Sequence, residues 1–359
     1  MKIMHIAGAR PNFMKVAPVM AALNACSNTF EQRLVHTGQH YDFQMSQVFF
    51  EELGLGDPDE HLGVGSGSHA EQTARLMLAF EPVLLKQRPD WVFVYGDVNS
   101  TLACALVGAK LGVPLAHVEA GLRSRDRSMP EEINRLLTDQ ISDLLFTPSA
   151  DADGNLLGEG IEREKIHLVG NVMIDTLVRM LPFAEQRTVL RDLDIVKGEY
   201  ILVTLHRPSN VDQAVPLEEI LSALQALSEQ HTVVFPLHPR TRERISRFGL
   251  NADGLQLLEP LGYLDFLSLT RSARFVLTDS GGIQEETSFL GIPCLTLRTT
   301  TERPITLQKG TNRLVACSRQ AILEAAASIG PQPLARIAEI PLWDGQAANR
   351  IAQVMLDQG

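Results

Sequence analysis

The chain lacks the features that mark several large classes of protein. Its 359 residues include only four cysteines (Cys26, Cys104, Cys294, Cys317), far apart and without a C-x-x-C. Neither a disulfide framework nor a thiolate metal site is expected, and reduced thiols fit a cytoplasmic protein. No apolar run approaches the roughly 18 residues of a membrane span. The N-terminus enters a strand at once instead of showing a signal-peptide pattern. Positive charge is scarce, with 32 Lys and Arg against 43 Asp and Glu and a net charge of −11. A general nucleic-acid binder depends on a basic surface, so that class is excluded too. An anionic ligand would need its cations concentrated locally. The first strand is not followed by the G-x-G-x-x-G of a dinucleotide site, so neither metal nor NAD is expected and no cofactor is assigned.

What is present is an alternation. At 359 residues two domains are expected, and 45% hydrophobic with 21% charged residues is the make-up of a soluble globular protein. Short apolar runs read as strands at Lys2–Ala7, Arg33–Thr37, Trp91–Tyr95, Pro114–Val118 and Leu144–Thr147. The pattern repeats at Tyr200–Thr204, Thr232–Phe235, Leu255–Leu258, Phe275–Leu277 and Pro293–Leu297. Helical stretches separate them, so the fold class is α/β with parallel sheet and right-handed crossovers. The expected layout is two doubly wound, Rossmann-like domains, residues 1–172 and 173–341, facing a central cleft. A last helix within 342–359 is expected to pack back across them. In such sheets ligands bind beyond the C-terminal ends of the strands.

Charged residues collect at those ends: Arg10, Asp97, Glu119, His206, His238 and Asp279. The stretch Thr278-Asp-Ser-Gly-Gly-Ile-Gln-Glu-Glu286 passes from a strand through a tight turn into a helix. Either it is an ordinary turn using glycine for its geometry, or an anion cradle in which Ser280, Gly281 and Gly282 offer backbone N–H groups to a diphosphate. Glu286, one turn on, would face ribose hydroxyls. Arg10 and Lys15 bracket another helix start, where cations are mildly unfavourable unless an anion is held there. Asp97, Glu119 and Glu131 (beside Glu132) would suit general acid/base work if their environments set their proton affinities apart. His206, in a polar His-Arg-Pro exit, reads as a site residue. His5, His36 and His117 lie inside strands and read as packing residues.

With these residues assembled, the chain resembles the non-hydrolysing UDP-N-acetylglucosamine 2-epimerases, of the two-domain glycosyltransferase-B type fold. The resemblance runs from Gly8-Ala-Arg-Pro11 to Asp344-Gly-Gln346. Its motifs are Gly96-Asp97, His117-Val-Glu-Ala-Gly-Leu-Arg123, Pro130-Glu-Glu-Ile-Asn-Arg135, His206-Arg207, Thr278–Glu286 and Thr301-Glu-Arg-Pro304. It implies that Arg10, Lys15, Ser280, Gly281, Gly282, Glu286 and Arg303 hold the UDP moiety. It further implies that Asp97, Glu119, Glu131 and His206 surround the reacting sugar, with Arg135 and His238 close by, and that the protein is a homodimer. The C2 hydrogen of the sugar is not next to a carbonyl, so it becomes acidic only as UDP departs from C1. Elimination to a 2-acetamidoglucal and re-addition of UDP with a proton on the other face of C2 would give the manno epimer.

Three departures qualify the expectation. Gln39-His-Tyr-Asp42 stands where members activated by their own substrate carry Gln-His-Arg. Arg298-Thr-Thr-Thr-Glu-Arg-Pro-Ile305 lacks two acids of the familiar run. Arg123-Ser-Arg-Asp-Arg-Ser-Met-Pro130 is similar to the branch acting on UDP-2,3-diacetamido-glucuronic acid, where Arg125 and Arg127 would either suit a C6 carboxylate or be solvated loop charge. Rival readings are a retaining glycosyltransferase, a hydrolysing epimerase, and a nucleotide-sugar-binding protein without turnover.

Overall fold

The computed structural model describes residues 1–26, 29–38, 53–330 and 339–358. The chain divides into two compact units, residues 1–176 with 341–359, and residues 177–340. The loop at Gln39–Asp42 lies outside the described residues.

The first unit is built on seven strands: β1 (Lys2–Ala7), β2 (Glu31–His36), β3 (Glu60–His61), β4 (Trp91–Tyr95), β5 (Leu115–Val118), β6 (Leu144–Thr147) and β7 (Ile166–Leu168). Their order is β3-β2-β1-β4-β5-β6-β7, and every described pair is parallel. The second unit has β8 (Tyr200–Thr204), β9 (Thr232–Pro236), β10 (Gln256–Leu258), β11 (Phe275–Thr278), β12 (Cys294–Leu297) and β13 (Asn312–Val315). Their order is β10-β9-β8-β11-β12-β13, again parallel throughout. Both sheets are doubly wound. The strand order reverses between β1 and β4 in one, and between β8 and β11 in the other.

The side-chain alternation of a strand explains why both faces are covered. On β8, Ile201 and Val203 join Phe235, Leu277 and Leu297 in one core layer, while Tyr200 and Leu202 join Val234 and Val276 in the layer behind. In the first unit, Met4, Ile6, Val92 and Val94 pack against Phe80 and Leu84 of the helix His69–Gln87 and Cys104 of the helix Asn99–Lys110. The strand histidines are buried as expected. His5 bonds Tyr95 Oη at 2.7 Å and Gln32 Oε1 at 2.9 Å, and burial lowers its pKa to about 4. The four cysteines are free thiols. No helix among the described residues is long and apolar enough to cross a membrane.

The last helix, Ala347–Leu356, belongs to the first unit and packs on the helix Arg10–Asn24. Its N-terminal amides are met from a distance in sequence. Asp175 accepts the N–H groups of Ala347 at 3.1 Å and Ala348 at 2.7 Å. Burial dominates this carboxyl and raises its pKa to about 6, although the two amides pull the other way. The folded state thus holds the proton more tightly than the unfolded chain does. Stability from this group is fully present below about pH 4 and is lost as pH rises through about 6. Asp175→Asn should remove that dependence. Between pH 4.5 and 7.5, urea unfolding of the wild type should lose about 1–3 kcal/mol relative to the variant. Parallel pH profiles would show that Asp175 titrates like an exposed carboxyl.

Candidate active site

In the first unit the C-terminal ends of β1, β4 and β5 bring together groups far apart in sequence. The helix Arg10–Asn24 starts with Pro11 in its first turn and carries no acid there. Asn12 fixes its entry, accepting the N–H groups of Gly8 (3.2 Å) and Ala9 (2.9 Å) and donating to Tyr95 O at 2.8 Å. One turn further, Lys15 reaches across Gly96 to Glu119, with Nζ 2.8 Å from Oε1 and both side chains buried. A Cβ on Gly96 would lie 2.7 Å from the Lys15 ammonium, and its φ is +64°, so this turn requires glycine twice over. Glu119 itself has φ +73°. A non-glycine residue held there costs on the order of 1–2 kcal/mol, and such strain concentrates at functional positions. Its own N–H and that of Ala120 both donate to Phe146 O at 3.1 Å, which holds the turn in place.

The neighbouring acid is held by a second cation. Arg135, on the helix Pro130–Ile141, donates from Nε (2.9 Å) and Nη2 (2.6 Å) to Asp97 Oδ2, and from Nη1 to Glu132 Oε2 at 2.6 Å. Glu132 also accepts the backbone N–H groups of Ser124 (2.9 Å) and Arg125 (2.8 Å). Burial pushes the Glu132 pKa up, but those bonds and the Arg135 charge outweigh it and hold it below the usual range. Of the two adjacent glutamates, Glu132 is therefore the anchor. Glu131 is half-buried and makes no side-chain hydrogen bond or ion pair among the described residues.

Beneath these turns lies a brace. Asp139 accepts from His117 Nδ1 at 2.6 Å, Arg123 Nη1 at 2.7 Å and the Gly121 N–H at 3.1 Å. His117 Nε2 donates to Gly96 O at 2.8 Å. His117 is thus a packing residue that also fixes the turn presenting Asp97. Arg125 is exposed, bonding Asn155 Oδ1 at 2.8 Å. Arg127 lines an open groove of about 560 Å³ with His69, Asn99, Ser128 and Asn134. Asn134 Nδ2 in turn donates to Asp97 O at 2.8 Å.

In the second unit, Ser280 precedes the helix Gly281–Leu290, whose first turn has no acid to occupy its positive end. Gly281 allows Arg303 and Glu302 to come close: a Cβ there would lie 2.5 Å from Arg303 Nη1 and 2.7 Å from Glu302 Oε1. Arg303 pairs with Glu285 through Nε at 2.7 Å and with Glu302, which also takes Arg298 Nη2 at 2.7 Å. Glu286 is buried and accepts from Tyr263 Oη at 3.1 Å. Across the switch point, His206 Nδ1 lies 2.9 Å from Asp279 Oδ1, and His238 stands beside it with ring centroids 6.1 Å apart. The first unit thus groups Lys15, Glu119, Asp97 and Arg135, with Arg10 opening the same helix as Lys15. The second groups His206 and His238, and separately Ser280, Gly281, Gly282, Glu286 and Arg303.

Two all-parallel sheets, each carrying charged residues on the strand ends beside its switch point, define an α/β protein of the glycosyltransferase-B type. Comparison with known proteins narrows the class. The family model for UDP-N-acetylglucosamine 2-epimerase matches residues 22–356. A UDP-N-acetylglucosamine 2-epimerase homolog of Methanococcus maripaludis is 48% identical over 338 residues, covering 92% of this chain and 93% of that protein. The UDP-2,3-diacetamido-2,3-dideoxy-D-glucuronate 2-epimerase of Pseudomonas aeruginosa is 45% identical, covering 99% of both. The crystal structure of Methanocaldococcus jannaschii UDP-GlcNAc 2-epimerase in complex with UDP-GlcNAc and UDP superposes with a TM-score of 0.89 at 42% identity, covering 100% of both chains. The chain belongs to the UDP-N-acetylglucosamine 2-epimerase family and is an isomerase.

The contact at Gly281 gives a direct test of how this turn is built. Gly281→Ala keeps an allowed helical backbone but drives a methyl group into two buried, paired side chains. We expect a loss of about 1–3 kcal/mol in urea unfolding with an unchanged m-value. An unchanged midpoint would show that Arg303 and Glu302 move aside freely.

Proposed function

We propose that the protein interconverts UDP-N-acetylglucosamine and UDP-N-acetylmannosamine without hydrolysis, by elimination of UDP and re-addition. The observation that carries this reading is the set of ion-paired carboxylates at the C-terminal strand ends: Glu119, buried with Lys15, and Asp97, half-buried with Arg135. Binding a nucleotide sugar requires none of these acids, whereas moving a proton on and off C2 requires groups of this kind. Ser280, Gly281, Gly282, Glu286, Arg303, Arg10 and Lys15 are assigned to the UDP moiety. The helix start at Gly281 supports this, because its first turn carries no acid of its own and its positive end suits a diphosphate. Asp97, Glu119, Glu131 and His206 are assigned to proton transfer, with Arg135 and His238 supporting them. As UDP leaves, the C1–O electron pair goes to the diphosphate and the C2 proton to one of these bases. Re-addition reverses both transfers, with the proton arriving on the opposite face.

On the same resemblance the protein is read as a cytoplasmic homodimer that supplies precursors for polysaccharide synthesis. A second substrate, UDP-2,3-diacetamido-glucuronic acid, is favoured by Arg127, which lines the groove beside Asn134 and offers a cation to a C6 carboxylate.

Proton NMR of the protein with UDP-N-acetylglucosamine in D₂O, without metal or NAD, should show the manno anomeric signal, deuterium at C2 and no free sugar. Free N-acetylmannosamine would instead identify a hydrolysing enzyme. An unchanged spectrum, followed by turnover of the diacetamido uronate, would move the assignment to that substrate. Asp97→Asn should lower kcat by ~10²-fold or more while calorimetry shows UDP binding retained. Equal turnover in that variant would remove Asp97 from the reaction.

A further inference from the structure

The second unit holds two histidines at the C-terminal edge of its sheet, His206 after β8 and His238 after β9, in chemically opposite settings. His206 Nδ1 is 2.9 Å from Asp279 Oδ1. Asp279 is fully buried. Burial pushes its pKa up, but the hydrogen bond and charge of His206 and two backbone N–H groups outweigh this and hold it below the usual range. The carboxylate cannot swing away, because it also accepts the His206 N–H at 3.0 Å, the Arg207 N–H at 2.9 Å and Asn210 Nδ2 at 3.1 Å. An ionised carboxylate only accepts, so His206 Nδ1 carries a hydrogen, and in the neutral ring the lone pair is on Nε2.

At His238 the pattern is reversed. Its Nδ1 accepts the backbone N–H of Arg240 at 3.2 Å. A backbone N–H only donates, so neutral His238 has its lone pair on Nδ1 and its hydrogen on Nε2. Burial, and then the charges of His206 (when it is protonated) and Arg240, lower its pKa, although Asp279 acts in the opposite sense. Near neutral pH it therefore stays a neutral ring.

We propose that Asp279 is a positioning residue which, together with the Arg240 backbone N–H, holds the two histidines in opposite tautomers, so that His206 presents an accepting nitrogen and His238 a donating one. What the two nitrogens act on rests on the epimerase reading above. When the C1–O bond breaks, the electron pair goes to the diphosphate oxygen. The Nε2–H of His238 stabilises that charge, whereas a lone pair would repel it. His206 Nε2 is the nitrogen able to take up a proton from the sugar side and return it on re-addition. While protonated, its ring faces the ionised Asp279.

The test is long-range ¹H–¹⁵N NMR of the full chain with ¹⁵N-labelled histidine at slightly alkaline pH, with peaks assigned through His206→Gln and His238→Gln. The wild type should show His206 with its hydrogen on Nδ1 and His238 with its hydrogen on Nε2. In Asp279→Asn the His206 preference should be lost, and kcat should fall by ~10²–10⁴-fold with KM within a few-fold. Identical tautomers in the wild type, or an unchanged His206 together with unchanged kcat in the variant, would overturn the proposal. Should the variant not fold, the wild-type spectrum decides, since hydrogen on His206 Nε2 is incompatible with the proposed role. The tautomers are read without turnover. A chain showing them that turns over neither UDP-N-acetylglucosamine nor the diacetamido uronate would sink the epimerase reading and leave the tautomer assignment standing.

Discussion

A parallel sheet covered on both faces has only its strand ends on which to place charge. That constraint organises both units. Strand residues such as Ile201, Leu202 and Val203 are fully buried on alternate sides. The first polar residues after the strands, Asp97, Glu119, His206 and Asp279, are where the chain can turn towards a ligand. Each of these turns is itself braced. His117 and Asp139 hold Gly96, Arg135 holds Asp97, and Asn210 holds Asp279. Chemistry placed on such ends inherits the rigidity of the sheet.

The electrostatics follow from the same layout. In a chain with net charge −11, cations at the strand ends are drawn into pairs: Lys15 with Glu119, Arg135 with Asp97 and Glu132, Arg303 with Glu285 and Glu302. Taking such ions out of water is costly, and a buried pair is a weak source of net stability. What the pairs supply is geometry. A carboxylate held at 2.6–2.9 Å by a guanidinium keeps one orientation. The side chains at these strand ends are thus held in place before any ligand arrives.

Much of this was legible in the sequence, for identifiable reasons. The central strands are runs of apolar and β-branched residues ended by Gly, Asp or His, so their positions and the parallel α/β class could be read directly. Of the four edge strands only β10 was legible, as Leu255–Leu258. β3 has two residues, Glu60 and His61, β7 carries His167, and β13 carries Arg313. Short, partly polar edge strands give no hydrophobic pattern to detect. Among the candidate residues, Asp97 and Glu119 in the first unit and His206 in the second stood out because they follow strands. The brace Asp139 did not, because it sits well inside a helix, where an acid is usually a solvated face. Asp279 was visible as a strand-end acid. Its role depends on a hydrogen bond to a residue 73 positions earlier, which no local pattern encodes.

The discontinuous make-up of the first unit has a consequence for synthesis. Residues 341–359 complete that unit, and Asp175 waits for the amides of Ala347 and Ala348. As the chain leaves the ribosome, the whole of residues 177–340 must be made before the first unit can close its last contacts. At 5–20 residues per second this is a delay of roughly ten to thirty seconds. Through that interval the face of the helix Arg10–Asn24 that receives the last helix is uncovered. The first unit is thus completed only at the end of synthesis, while the second unit is contiguous in sequence.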